Sequence, residues 1–140
     1  MWRRIAAALR SFQRSRYRAS VERALALQGE GRPDGLTLVR VRNRLEVRWR
    51  SRDIHPWDNP LSDDGKAQLF QEQLARDTEA AILRLFQSLP AIDRIDLQVL
   101  DPATDTVILG GEVHRSALNG IRSVTSVRMR LHQLGVTQNP

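Results

Sequence analysis

The stretch that decides the fold reads Leu36-Thr-Leu-Val-Arg-Val-Arg-Asn-Arg-Leu-Glu-Val-Arg-Trp-Arg50. Apolar and polar residues alternate on both sides of a central Arg-Asn-Arg, which is typical of two half-buried strands joined by a short loop. A three-residue loop over 42–44 would place Val41 opposite Leu45 and gather the apolar side chains on one face. The pattern therefore predicts a hairpin in this register, with one of the last two loop residues in the left-handed conformation.

The segment that follows the hairpin predicts a long helix. Ser62 is a typical N-cap, two aspartates follow it in the first turn where they favour the helix dipole, and Pro90 ends the helix. Its apolar residues recur at helical spacing and predict one buried stripe. The stripe consists of Phe70, Leu74, Ala81, Ile82, Leu85, Phe86 and Leu89.

A second hairpin is indicated by two alternating runs around the turn 101–105. A five-residue loop pairs Val99 with Val107, and on the other face it pairs Arg94 with Glu112. The turn resembles a calcium loop only in its aspartates. The following Gly-Gly pair at 110–111 lacks the pattern of a phosphate-binding loop and indicates a bulge or a close approach of a helix.

The last helix is predicted to begin at Ser123 and to end at Gly135, with 138–140 as a tail. Its inward residues are Val124, Val127, Leu131 and Leu134. At the other end of the chain, residues 1–28 contain no glycine or proline and predict a basic helix, joined to the hairpin by the glycine-rich segment 29–35.

The order of elements predicts an α+β fold: an N-terminal helix followed by two β-β-α units. We expect a four-stranded, mainly antiparallel sheet with the helices packed on one face, because two isolated hairpins cannot bury their apolar faces. The expected organisation is a basic helix over 1–28, mobile or docked on the sheet, and a single α+β domain over 36–136.

Composition excludes several classes of protein. The 140 residues contain no cysteine, so disulfides, thiolate metal sites and cysteine nucleophiles are excluded. The apolar run from Ile5 to Leu9 is too short for a signal peptide, and no stretch is long enough to span a membrane. The sequence predicts a cytoplasmic protein, and we expect no cofactor and no metal.

Charge is distributed very unevenly along the chain. Residues 1–52 carry 14 arginines and four acidic residues, whereas residues 53–140 carry 8 basic and 12 acidic residues. A GC-rich coding sequence would favour arginine over lysine, but it does not explain this asymmetry. The arginines could form an ordinary solvated surface, or could pair with the acidic second half within the fold or in a dimer. As a function, the sequence predicts a small non-enzymatic binding or adaptor domain whose basic half contacts an anionic partner, with nucleic acid slightly ahead of acidic protein. The predicted contact residues are Arg14, Arg18, Arg40, Arg42, Arg44, Arg48 and Arg50.

Two other functions are compatible with the sequence. The chain could be an assembly subunit that uses the sheet face or the apolar stripe of residues 1–28, with itself or another protein as partner. Peripheral membrane contact through residues 2–12 is less favoured, because the stripe continues to Val21 and Leu25 and fits docking better.

The loop over 53–58 carries the remaining alternative. Asp53, His55 and Asp58 could serve a small metal-dependent hydrolase, since carboxylates and imidazole are metal ligands and proton carriers. Their spacing matches no known metal site. The sequence favours a structural role, in which Asp and His side chains satisfy the backbone of the turn and Trp57 packs on the core. If the loop has a function, Asp53, His55, Trp57 and Asp58 are predicted to recognise a partner.

Overall fold

The computed structural model of the chain describes residues 37–54 and 60–138. Within these residues lie five strands, two α-helices and one 3₁₀ segment. In chain order they are β1 (Thr37–Val41), β2 (Arg44–Arg50), α1 (Asp63–Ser88), β3 (Arg94–Leu100), β4 (Val107–His114), the 3₁₀ segment (Arg115–Ile121), α2 (Val127–Leu134) and β5 (Val136–Gln138). The helix predicted for 1–28 lies outside the described residues.

The strands form one sheet in the order β1-β2-β3-β4-β5. Three neighbouring pairs are antiparallel, but β2 and β3 are parallel. The chain runs from the end of β2 through α1 before it enters β3. This crossover returns the chain to the end of the sheet at which β2 begins, so β3 runs in the same direction as β2. The α+β class is confirmed. The predicted number of four strands is wrong, because β5 adds a fifth at the edge next to β4.

The register of the first hairpin differs from the prediction by one residue. Val41 pairs with Arg44 rather than with Leu45, so the loop has two residues. The left-handed residue is Arg42, at φ 56°, and not Asn43 or Arg44 as expected. Because side chains alternate between faces, a shift of one residue turns every β1 side chain to the other face of the sheet.

The second hairpin differs by two residues, and its faces are therefore preserved. Val99 pairs with Leu109 and not with Val107, while Asp96 rather than Arg94 lies opposite Glu112. The connecting loop holds six residues, 101–106, closed by a 2.9 Å hydrogen bond from the Asp101 N–H to the Thr106 carbonyl.

Helix α1 begins and ends where the sequence predicts. The Ser62 hydroxyl accepts a 3.1 Å hydrogen bond from the Gly65 N–H, which confirms the N-cap. The predicted stripe packs on the apolar side chains of β2, β3 and β4. The hydroxyl of the buried Thr78 donates a hydrogen bond to the Leu74 carbonyl. Sheet residues at the centre of this core are Leu45, Val47, Trp49, Ile95, Leu97, Val99 and Val113.

Helix α2 begins later than predicted. Its N-cap is Ser126, whose hydroxyl accepts from Met129, and not Ser123. Gly135 does occupy the predicted C-terminal position, with φ 98°. The tail prediction is wrong for Gln138, which ends β5. The turn from α2 into β5 crosses β4 so closely that a Cβ on Gly111 would collide with the Gly135 carbonyl. The expected close approach is therefore confirmed at Gly111.

Replacing Gly111 with alanine should lower the free energy of unfolding by about 1–3 kcal/mol, because backbone rather than a flexible side chain must move to admit the methyl group. Urea denaturation measures the effect. The matched control is Gly120→Ala, since nothing lies within 4 Å of a Cβ at Gly120. Equal stability of the Gly111 variant and the wild type would contradict this account of the α2–β4 contact.

Arg115, directly after β4, closes the C-terminal end of α1. Its guanidinium donates to the carbonyls of Phe86 at 3.0 Å, Leu89 at 2.9 Å and Ile92 at 2.9 Å, and lies 4.7 Å from the centre of the Phe86 ring. The last carbonyls of a helix have no partner within it and carry partial negative charge. One cation therefore satisfies the end of α1 and joins it to the sheet.

Arg115→Ala should cost about 2–3 kcal/mol of unfolding free energy, because the part-buried carbonyls lose charged donors. Arg115→Lys should recover only part of the loss, since an ammonium cannot span three carbonyls. Thermal and urea denaturation would be compared with Arg122→Ala, which removes an exposed arginine from the same region. Full recovery by lysine would show that charge alone, and not the fork of donors, closes the helix.

Candidate functional site

The helices pack on one face of the sheet, and the opposite face is the candidate site. We call it the open face, because no described helix lies on it. Its side chains follow from the alternation of β2 and from the strand pairings. It comprises Thr37, Val39 and Val41 of β1; Arg44, Glu46, Arg48 and Arg50 of β2; Arg94, Asp96 and Gln98 of β3; Gly110, Glu112 and His114 of β4; and Thr137 of β5.

Charge on the open face is sorted into two adjacent rows that cross three strands. The basic row is formed by Arg44, Arg94 and His114, which are directly paired neighbours. The acidic row lies two residues further along β2 and β3, and consists of Glu46, Asp96 and Glu112. Like charges directly opposite one another are unfavourable, so each row depends on the other for its stability.

Five contacts join the rows. Arg44 reaches Glu46 at 3.1 Å and Asp96 at 3.8 Å. Arg94 donates to both oxygens of Asp96, at 2.9 and 3.2 Å, and reaches Glu112 at 3.0 Å. His114 Nε2 lies 2.7 Å from the same Glu112. The hydrogen bond to Asp96 is the main cause that raises the pKa of Arg94 above its usual value, so the cation is permanent.

Neither row is uniformly the more exposed. At one end Glu46 is 45% exposed against 35% for Arg44, but at the other end His114 is 54% exposed against 46% for Glu112. At the centre Arg94 is 34% exposed against 27% for Asp96. A molecule that approaches this part of the open face therefore meets basic and acidic groups together.

Apolar surface lies beside the acidic row. Val39 pairs with Glu46 and Val41 with Arg44, and the two valines are 46% and 44% exposed. The predicted register places both valines on the same face as Leu45 and Val47, and the one-residue difference brings them to the open face instead. A shallow depression of about 720 Å³ extends from β1 across the acidic row to Gly110 and Thr137.

The arginines predicted from the sequence do not share one face. Arg40 pairs with Leu45 and therefore lies on the helix side of the sheet, and Arg42 is at the hairpin tip. Arg44 belongs to the basic row. Both Arg42 and Arg48 are exposed, and none of the ion pairs among the described residues involves them. Arg14 and Arg18 lie outside the described residues.

Arg50 is committed to the loop between β3 and β4. Its guanidinium donates to the Asp101 carbonyl at 2.9 Å, to the Thr104 carbonyl, and to the Asp105 carboxylate at 2.6 Å. The hydrogen bond from Arg50, helped by its charge, lowers the pKa of Asp105. Arg50 thus positions a loop.

The Asp105 carboxylate should titrate below the usual range for aspartate, and Arg50→Gln should return its pKa to that range. Because the folded pKa is the lower one, the contact stabilises the fold above the ordinary aspartate pKa and is lost as pH falls through the depressed value. NMR titration of the Asp105 side chain measures both. The matched control is Arg84→Gln, which removes an exposed arginine from α1 and should leave the Asp105 curve unchanged. An unchanged Asp105 curve in Arg50→Gln would contradict the contact.

Of the four residues predicted for partner recognition, Asp53 alone lies within the described residues. The Asp53 carboxylate accepts a 2.8 Å hydrogen bond from the Ile54 N–H, and its carbonyl accepts from Gln73. The neighbouring Arg52 donates to Asp77 at 2.6 Å and fixes this segment to α1. His55, Trp57 and Asp58 lie outside the described residues.

A second concavity, of about 930 Å³, lies between α1 and the 3₁₀ segment. Its main charged groups already have partners. Arg115 holds the end of α1, and Arg130 donates to both carboxylate oxygens of Glu79, at 2.6 and 2.9 Å. His114 at its rim is bonded to Glu112. These contacts join α1 to α2 and to the residue that follows β4.

Residues 37–54 and 60–138 contain no group of three or more His, Asp or Glu side chains that could hold a metal. In the same ranges no helix is long and apolar enough to cross a membrane. Comparison with family models, curated proteins and solved structures finds no match to this chain. The open face therefore has to be interpreted from its own chemistry.

The sequence analysis does not predict the two charged rows, although each strand carries a short charge pattern that contributes to them. Arg-x-Glu-x-Arg begins at Arg44, Arg-x-Asp begins at Arg94, and Glu-x-His ends at His114. Each is a short alternation of charge on one face of a strand. Only the pairing of β2 with β3 and β4 shows that these fragments lie side by side.

Proposed function

We propose that this protein is a non-enzymatic binding or assembly module whose open face contacts another protein segment. The supporting observation is the combination of the acidic row with exposed valines beside it. Interaction surfaces of this kind join an apolar patch to charged groups that select the partner. The face is broad and shallow, which suits a protein segment better than a small molecule.

The chemistry of the face indicates the class of partner. Exposed carboxylates favour lysine or arginine side chains, and the valines favour apolar groups. A helix with apolar residues at intervals of three and four, flanked by basic residues, can present both to a flat sheet. The proposed partner is therefore a basic amphipathic segment.

Nucleic acid is less favoured than the sequence suggested. The acidic row would repel phosphates at the centre of the face, and Arg44, Arg94 and Arg50 already bond carboxylates. Arg40, on the helix side of the sheet, is separated from Arg48. The remaining exposed arginines do not supply the continuous basic surface that phosphate binding requires.

A test uses the full chain. A displayed library of helical peptides is selected against this protein. We expect basic peptides with apolar residues at helical spacing. Glu112→Lys should weaken the selected peptides about tenfold, or about 1.4 kcal/mol.

The matched control is Glu72→Lys, which makes the same charge change on an exposed position of α1. It should leave affinity unchanged. In parallel, labelled duplex DNA and single-stranded RNA are titrated at low salt. Selection of acidic peptides, or nucleic-acid binding that Arg42→Glu and Arg48→Glu abolish, would overturn the proposal in favour of an anionic partner.

A further inference from the structure

We infer that the second concavity, between α1 and the 3₁₀ segment, binds a small organic anion that consists of a carboxylate and an aliphatic or aromatic body. The concavity shares no lining residue with the depression on the open face. The inference therefore goes beyond the proposed function and does not depend on it.

Apolar side chains form one part of the lining. Leu83 of α1 is 43% exposed, Leu118 is half-buried against the core, and Ile121 and Val124 complete the apolar surface. A ligand with an apolar body gains free energy by covering this area. The volume of about 930 Å³ lies within the range of sites that take small molecules.

Arg122 is the cation that this lining leaves available. The lining holds three arginines and two acidic residues. Arg130 and Glu79 neutralise one another through two hydrogen bonds, and Asp93 lies 4.0 Å from Arg115. Within residues 37–54 and 60–138, the Arg122 guanidinium has no hydrogen bond and no ion pair. One available guanidinium beside apolar surface favours a ligand with a single carboxylate, which it can bind with two donors.

Neutral hydrogen-bonding groups accompany Arg122 in the lining. Ser116 and Asn119 belong to the 3₁₀ segment, and both are exposed. Neither side chain has a hydrogen bond to any part of the chain that the structure describes. Hydroxyl and amide groups donate to carboxylate oxygens as a guanidinium does, so the two residues supply further donors in the same concavity.

The part of the wall that carries Val124 is fixed without a ligand. Arg130 donates to the carbonyls of Val124 and Thr125, at 2.8 Å each, while the same guanidinium bonds Glu79 of α1. The Val124 N–H also donates to the Ile121 carbonyl at 3.1 Å. A wall that is already ordered costs a ligand little conformational entropy on binding.

The test titrates sodium octanoate into the ¹⁵N-labelled full chain and follows the amide signals by NMR. The signals of Leu83, Asn119 and Val124 should shift and reach saturation. Those of Gln98 and Thr137, on the open face, should not move. Octanol has the same chain without the charge and should bind about fivefold more weakly, which corresponds to one exposed ion pair. Acetate has the charge without the chain and should give no saturable shift.

Two pairs of variants identify the groups that bind. Arg122→Gln should weaken octanoate about fivefold and leave octanol unchanged. Its matched control is Arg84→Gln, which removes an exposed arginine of α1 that does not line the concavity. Leu83→Asn should weaken both probes. Leu61→Asn is the control, since Leu61 is also 43% exposed and lies outside the lining. All four positions are exposed, so the variants should fold as the wild type does.

Equal affinity for octanoate and octanol would overturn the inference, because the cation would then select nothing. The absence of saturable shifts in the concavity would overturn it as well, and so would equal weakening by Arg84→Gln. None of these results changes the outcome of peptide selection on the open face, so the two proposals fail independently.

Discussion

The parallel pairing of β2 with β3 is the constraint on which the rest of the molecule depends. It joins two hairpins into one sheet and aligns Leu45 with Ile95, Val47 with Leu97 and Trp49 with Val99 on the helix side. The same alignment creates both charge rows on the other side. The core and the candidate site are thus opposite faces of one sheet, and both depend on the same strand register. A sequence change that moved this register by one residue would bury the charges and expose the core.

Among the residues that the structure describes, arginine has at least three different structural roles, which the net charge of the chain does not distinguish. Arg115 closes a helix, Arg50 and Arg130 hold a loop and a helix to their neighbours, and Arg94 neutralises a row of carboxylates. The planar group with its fork of donors suits each use, since it can satisfy several oxygens at once. A net charge of +6 therefore says little about the surface that a partner meets.

On the open face, two half-exposed valines of the edge strand β1 lie beside the acidic row. Antiparallel sheets tolerate solvent on one face when that face is polar. Here the two charged rows are paired with each other, whereas the valines are covered by no described residue. This imbalance, rather than any catalytic grouping, is the reason to regard the face as an interface.

Local sequence determined the limits of α1, its Ser62 cap, the glycine at 135 and the inward faces of β2, β3 and β4, because each depends on residues a few positions apart. Only the tertiary structure decided the face of β1, the existence of β5, the role of Arg115 and the assembly of the two charge rows. Hairpin loops of two or three residues are close in free energy, so packing and not local preference selects the register. Contacts between residues some fifty positions apart, such as Arg44 with Asp96, leave no periodic signal in the chain.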